Sequence, residues 1–196
     1  MFIPGVIGLD RENLKEAVSQ LALLKEDTQE CMKKGLPFVL ASVAIWVLIL
    51  VVQFLNLDIS TVNMCTFCCC VLLMPFAILF AKVVKADIFR KAANPLNKLA
   101  LLNTLNQFLY ILIVMWAFSR APEYMVMVYA MVFGAHLLPF SWVYDSRAYL
   151  VISIAETVGA LILYFLLGSA ATAAFIVLGE IVLSVLLFLD CRKNLA

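Results

Sequence analysis

Apolar residues in this chain gather into six runs of about twenty, divided by short polar or basic stretches, and only residues 1–34 depart from that rhythm. At 1.5 Å per helical residue, each run is long enough to cross a hydrocarbon core of about 30 Å. The runs are 36–55, 62–81, 99–118, 124–143, 149–167 and 173–190. They are apolar on all sides, the mark of helices that no soluble core could cover. The pattern predicts an all-α fold: a polytopic membrane bundle of six transmembrane helices, preceded by an amphipathic cytoplasmic helix. Residues 1–34 form one unit and residues 35–196 the membrane unit.

Residues 10–34 have a different period. Leu14, Ala17, Leu21, Leu24, Thr28 and Cys31 recur at spacings of three and four, which places them on one face of a helix that Asp10 can cap. Lys15, Glu16, Lys25, Glu26, Asp27 and Glu30 occupy the other face with nearly cancelling signs. A helix of that kind packs on its own cytoplasmic loops or on a partner rather than on anionic lipid. Gly35 and Pro37 end it and open the first span. Met1 to Leu9 has no basic region before its apolar residues, so it does not read as a signal peptide, and the first span is expected to do the targeting.

Composition agrees with this reading. Hydrophobic residues make up 65% and charged residues 14%, against about 45–50% and 25% in soluble domains. The net charge of +1 gives no reason to expect nucleic acid as a partner. The placement of the charges is more informative. Lys33, Lys34, Lys82, Lys85, Arg90, Lys91, Lys98, Arg147, Arg192 and Lys193 fall on one side of the six spans, and Arg120 alone falls on the other. The excess belongs in the cytoplasm, which predicts both termini inside. Spans one to three and four to six would then have opposite polarity, although the two halves share no visible sequence repeat.

Candidate chemistry lies inside the spans. A carboxylate at membrane depth is costly, so Glu156 and Glu180 should face protein or water. Counting from the cytoplasmic edge places Asn106, Gln107, His136 and Glu156 at one level, roughly 10 to 12 Å deep. Asn103, Asn106, Gln107 and Tyr110 follow the i, i+3, i+4, i+7 rule and form a stripe expected to face the interior. The same count puts Glu180 higher, in the outer third, near Cys68 and Cys69. Glu156 and His136 are therefore expected to exchange protons, or simply to hydrogen-bond each other, beside amides that hold a solute.

Other features are read as packing. Cys65 to Cys70 contains a C-x-x-C with no second half, so it is expected to pack rather than hold metal. Ala130 with Gly134, and Ala155 with Gly159, have the small-xxx-small spacing of close helix contacts. Trp142, Tyr144 and Tyr149 are expected as interface anchors. No hydrolase, zinc-protease or nucleotide-binding motif is present, so neither an enzyme nor a cofactor is expected.

Lys34 to Ser42 with Trp46, and His136 to Tyr144, resemble segments of an uncharacterised bacterial integral-membrane family, a domain of unknown function. The resemblance implies a multi-pass protein of a bacterial cytoplasmic membrane and brings no activity or site residue with it. Two functions stay open on the sequence. One is a small proton-coupled or solute transporter, or a solute-binding protein, using Glu156, His136, Asn106 and Gln107, with Glu180 as a second acid. The other is a structural or regulatory protein that docks a partner through its N-terminal helix. A redox role for Cys68, Cys69 and His136 has thin support. Membrane lipid, a second copy of the chain in a homodimer, and a small solute or proton are the expected partners.

Overall fold

The computed structural model describes residues 11–88 and 94–193, and among these it contains helices and connections but no strand. The Met1–Leu9 segment, the cap expected at Asp10, Arg90, Lys91, Asn194 and the side chain of Lys193 lie outside the described residues. Helix α1 (Arg11–Met32) leads through a 3₁₀ turn, Lys33–Gly35, into α2 (Leu36–Gln53). Then follow α3 (Ile59–Val71), α4 (Leu73–Val84), α5 (Pro95–Arg120), α6 (Met125–His136), α7 (Leu138–Val143), α8 (Arg147–Leu167) and α9 (Ser169–Lys193). Among the described residues, six helical stretches are long and apolar enough to cross a membrane.

Two of the six stretches are broken, where the runs at 62–81 and 124–143 predicted continuous helices. Leu72 separates α3 from α4, and Leu137 separates α6 from α7. Pro75 and Pro139 give the reason. Each lacks the N–H that would reach the carbonyl four residues back, and its ring crowds that carbonyl, at Val71 and Ala135 respectively. The next helix then starts just ahead of the proline.

The turn between α8 and α9 is much tighter than the five small residues Gly168 to Thr172 suggest. Gly168 alone leaves the helical path, with φ 85° and ψ −172°, a conformation open to glycine. Ser169 already begins α9, and Thr172 returns its hydroxyl to the Gly168 carbonyl at 3.0 Å.

Helices α2 and α9 pack together, as do α6 with α8 and α8 with α9, while α4 lies against α2. In the apolar eighteen-residue segments of the stretches through α2 and α6–α7, 56% of residues are buried, against only 22% and 17% in those through α5 and α8, which puts α2 and α6 at the centre. Trp46 of α2 is fully buried there, stacked on Tyr129 at 5.0 Å with Phe133 edge-on at 5.4 Å. The outer faces are apolar, as at Val71, Val83 and Leu166.

Helix α1 docks only by its C-terminal end. Thr28, Cys31 and Met32 are buried, whereas Leu14 and Leu21 of the same predicted face are exposed. Asn94 fastens that end, its amide 2.7 Å from the Leu24 carbonyl, 2.8 Å from Asp27 and 3.0 Å from Thr28 Oγ. Lys25 adds a cation 3.9 Å above the Trp142 ring.

Candidate functional site

The α8–α9 hairpin sets the two acids side by side. Glu156 lies twelve residues before Gly168 and Glu180 twelve residues after it, so both are about 18 Å from the turn on antiparallel neighbours. They are 1% and 0% exposed. Gly179 makes the contact close: a Cβ there would collide with Oε1 of Glu156. On the other side, a Cβ at Gly134 of α6 would lie 2.8 Å from the Thr157 nitrogen and 2.9 Å from Glu156 Cβ. Missing side chains on α6 and α9 thus let α8 pass with its acid between them. The two carboxyls are within electrostatic reach of each other.

Glu180 also borders a cavity of about 30 Å³, room for one or two water molecules. Its wall includes Ser42 of α2, Thr104 and Gln107 of α5, His136 of α6, and Tyr144 and Tyr149. Leu73, the first residue of α4, and Leu137, which separates α6 from α7, also line it. Both helix breaks therefore lie beside the same small space as the acid. Ser42 hydrogen-bonds the Glu180 carboxyl through Oε2 and also lies 2.7 Å from the Val39 carbonyl. Oε1 of Glu180 and both carboxyl oxygens of Glu156 have no hydrogen-bond partner among the described residues.

The other polar groups in the wall are held by backbone. Thr104 Oγ donates to the Ala100 carbonyl at 3.1 Å, and Tyr149 Oη donates to the Lys34 carbonyl at 2.8 Å. Nδ1 of His136 bonds the Phe133 carbonyl, so that nitrogen carries the hydrogen and Nε2 is left with its lone pair. The Tyr149 bond also pins the left-handed turn at Lys33, Lys34 and Gly35, where φ is 48°, 51° and 76°.

The profile of a family described as of unknown function matches residues 21–190. The chain belongs to that family, DUF7010. The match takes in both acids, the whole cavity wall and the docked end of α1. No curated protein and no solved structure matches this DUF7010 chain.

Several expectations for the DUF7010 site need correction. Glu180 is level with Glu156 rather than in the outer third beside Cys68, because α9 starts at Ser169 and shifts the count. His136 does not bond Glu156; its ring is turned to Phe133 and packed between Phe133 and Phe140. The amide stripe on α5 is rotated. Gln107 is buried, but Asn103, Asn106 and Tyr110 are only half-buried, and Asn106 gives its amide to Tyr110 Oη at 2.8 Å. The inward line of α5 is Asn97, Ala100, Thr104, Gln107, Val114 and Ala117.

On α8 the inward line is Tyr149, Ser153, Glu156 and Ala160, so Ala155 is exposed. Gly159 meets the Phe175 ring of α9 instead. Tyr144 and Tyr149 are buried at 2% each, leaving Trp142 as the exposed aromatic of the three. Cys69 and Cys70 pack in the Trp46 cluster, and Cys68 is exposed. The sequence reading missed Ser42, Thr104, Tyr144 and Tyr149. Ser42 was the most accessible signal: a lone hydroxyl in the first span, two turns from Gly35.

Proposed function

We propose that this chain is a six-span integral membrane protein with both termini in the cytoplasm, acting as a proton-coupled carrier through the Glu156–Glu180 pair. The apolar exterior and the polar groups gathered inside support insertion in lipid, the reverse of a soluble protein's distribution. The orientation rests on the placement of Lys and Arg. Prolines that interrupt two spans at one cavity support transport, since discontinuous helices are where such folds place their sites.

One observation carries the proton role. The Ser42 hydroxyl has a single hydrogen but two close oxygen partners, the Val39 carbonyl and the Glu180 carboxyl. A carbonyl brings no hydrogen, so we read Glu180 as the acid that supplies the second one. Two acids facing each other, with no lysine or arginine among the described residues that line the cavity, also cannot both be charged at reasonable cost.

The test uses full-length protein in liposomes that enclose a pH-reporting dye. Wild type should move protons down an imposed gradient, and Glu156→Gln and Glu180→Gln should each stop that movement while unfolding at nearly the wild-type temperature. Infrared spectra should show the carbonyl stretch of a protonated acid, lost in one of the two variants. Unaltered flux in both variants, or no such band in wild type, would sink the proposal.

A second reading has an observation of its own. The exposed Leu14, Val18 and Leu21 on α1 suit a protein that docks a partner there. Removal of residues 11–23 should then release that partner and leave proton movement intact.

A further inference from the structure

The cavity beside Glu180 has an unusual chemical bias. The hydroxyl and ring hydrogens in this wall are mostly used already, and the donors left free are those of the Gln107 amide. Thr104, Tyr149 and the Nδ1 of His136 all spend theirs on backbone carbonyls, and Ser42 is engaged between Val39 and Glu180. These groups keep their lone pairs. Gln107, buried and with no hydrogen bond to a described residue, adds an amide that offers an oxygen to a cation and an NH2 to an acceptor. Glu180 adds an oxygen, Oε1, that is fully buried and unpartnered. A mostly apolar cavity whose few polar groups include one acid, with no lysine or arginine among the described residues of its wall, is complementary to positive charge.

Size and charge narrow the class. About 30 Å³ suits a cation comparable to a water molecule better than an organic cation with several heavy atoms. With Glu156 keeping its own proton, the one carboxylate in the wall balances one positive charge. Hydroxyl, amide and carboxylate oxygens are hard ligands of the kind alkali and ammonium ions take.

We propose that this cavity binds one small monovalent cation, of the size of sodium, potassium or ammonium, in exchange for the proton of the acid pair. The step balances: the Glu180 acid releases its proton to water, and the carboxylate left behind holds the cation. The titratable groups that face Glu180 are Glu156 and Tyr149 from α8 and Tyr129 and His136 from α6, with Tyr144 in the wall; α2, α4 and α5 contribute none. This inference rests on the proton-exchange reading and names what that site carries.

The experiment uses full-length protein in detergent, with chloride salts of sodium, potassium, ammonium and choline compared at equal ionic strength. Unfolding temperature and proton release into weakly buffered solution are recorded, and protein-free blanks are subtracted. At least one small cation should raise the unfolding temperature above the choline control and release up to about one proton per chain. Glu180→Gln should abolish both effects. Gln107→Leu, which leaves the acids in place, should weaken the apparent affinity by about tenfold, the value of one polar contact. If no small cation differs from choline while the infrared band of the protonated acid is present, the cation site is wrong and the proton pair stands. If that band is missing, both fall. A cation response that persists in Glu180→Gln also overturns the site.

Discussion

The carboxyl of Glu156 on α8 rests in the space that a side chain on Gly179 of α9 would need. Gly134 of α6 makes a comparable approach from the other side, but there the obstructing atoms include the Thr157 backbone nitrogen. The two glycines should therefore respond differently to one methyl group. In Gly134→Ala the α8 backbone has to move, and a loss of about 1–3 kcal/mol in unfolding free energy is expected. In Gly179→Ala only the flexible end of Glu156 has to move. Stability should change less, and the infrared carbonyl band of the acid pair should shift. Equal destabilisation by both substitutions, with no change in the band, would mean that Gly179 serves packing alone.

Ser42→Ala removes the only hydrogen-bond partner of Glu180 among the described residues. A buried polar group deprived of its partner costs about 1–3 kcal/mol, which detergent unfolding should register. The more specific consequence is spectroscopic. An acid hydrogen that has lost its hydroxyl acceptor is less strongly held, so the carbonyl stretch should rise in frequency. A band unmoved by this substitution would assign the proton to Glu156.

Six apolar runs were enough to place the six stretches that are long and apolar enough to cross a membrane among the described residues, because such stretches declare themselves by composition. What composition could not supply was rotation about each axis and the residue at which each turn occurs. The stripe Asn103, Asn106, Gln107 and Tyr110 is as regular as the true inward line through Thr104 and Gln107, and the period alone does not choose between them. In a chain whose outer surface is as apolar as its core, hydrophobicity gives no inward direction. The level of Glu180 failed for a related reason. Five small residues in succession resemble a loop, yet only Gly168 adopts a conformation that ends a helix. Symmetry about that glycine was the available signal. The proline breaks were also legible, since Pro75 and Pro139 lie well inside their runs, but nothing in the sequence tied them to one cavity.

Asn94 holds the junction of α1 with the bundle. Its amide reaches three acceptors on α1 while its carbonyl oxygen caps α5 through the Leu96 N–H at 2.9 Å. Asn94→Ala should free the docked end of α1 and fray the start of α5. Hydrogen exchange should accelerate across residues 24–32 and 95–98, with the protection of α8 and α9 unaltered. Asn94→Asp keeps the cap but replaces the donors with a charge beside Asp27, so α1 alone should loosen. If exchange in α1 is indifferent to both substitutions, burial of Thr28, Cys31 and Met32 is sufficient to dock it.

Asp58 offers a pH dependence that is independent of the acid pair, because it lies in the connection ahead of α3. It caps that helix, accepting from the Thr61 hydroxyl at 2.7 Å and the Thr61 N–H at 3.0 Å. Those bonds, the hydroxyl first, favour the ionised form and hold its carboxyl below the ordinary carboxylate value. With the folded value below the unfolded one, the cap's contribution is complete above the unfolded pKa and is lost as pH falls through the folded pKa. Exchange at the first turn of α3, residues 59–62, should therefore accelerate in acid after correction for the intrinsic rate. Asp58→Asn retains an acceptor of the right shape without the charge. In that variant the first turn should stay protected and lose its pH dependence, whereas a wild-type profile in Asp58→Asn would place the responsible group elsewhere.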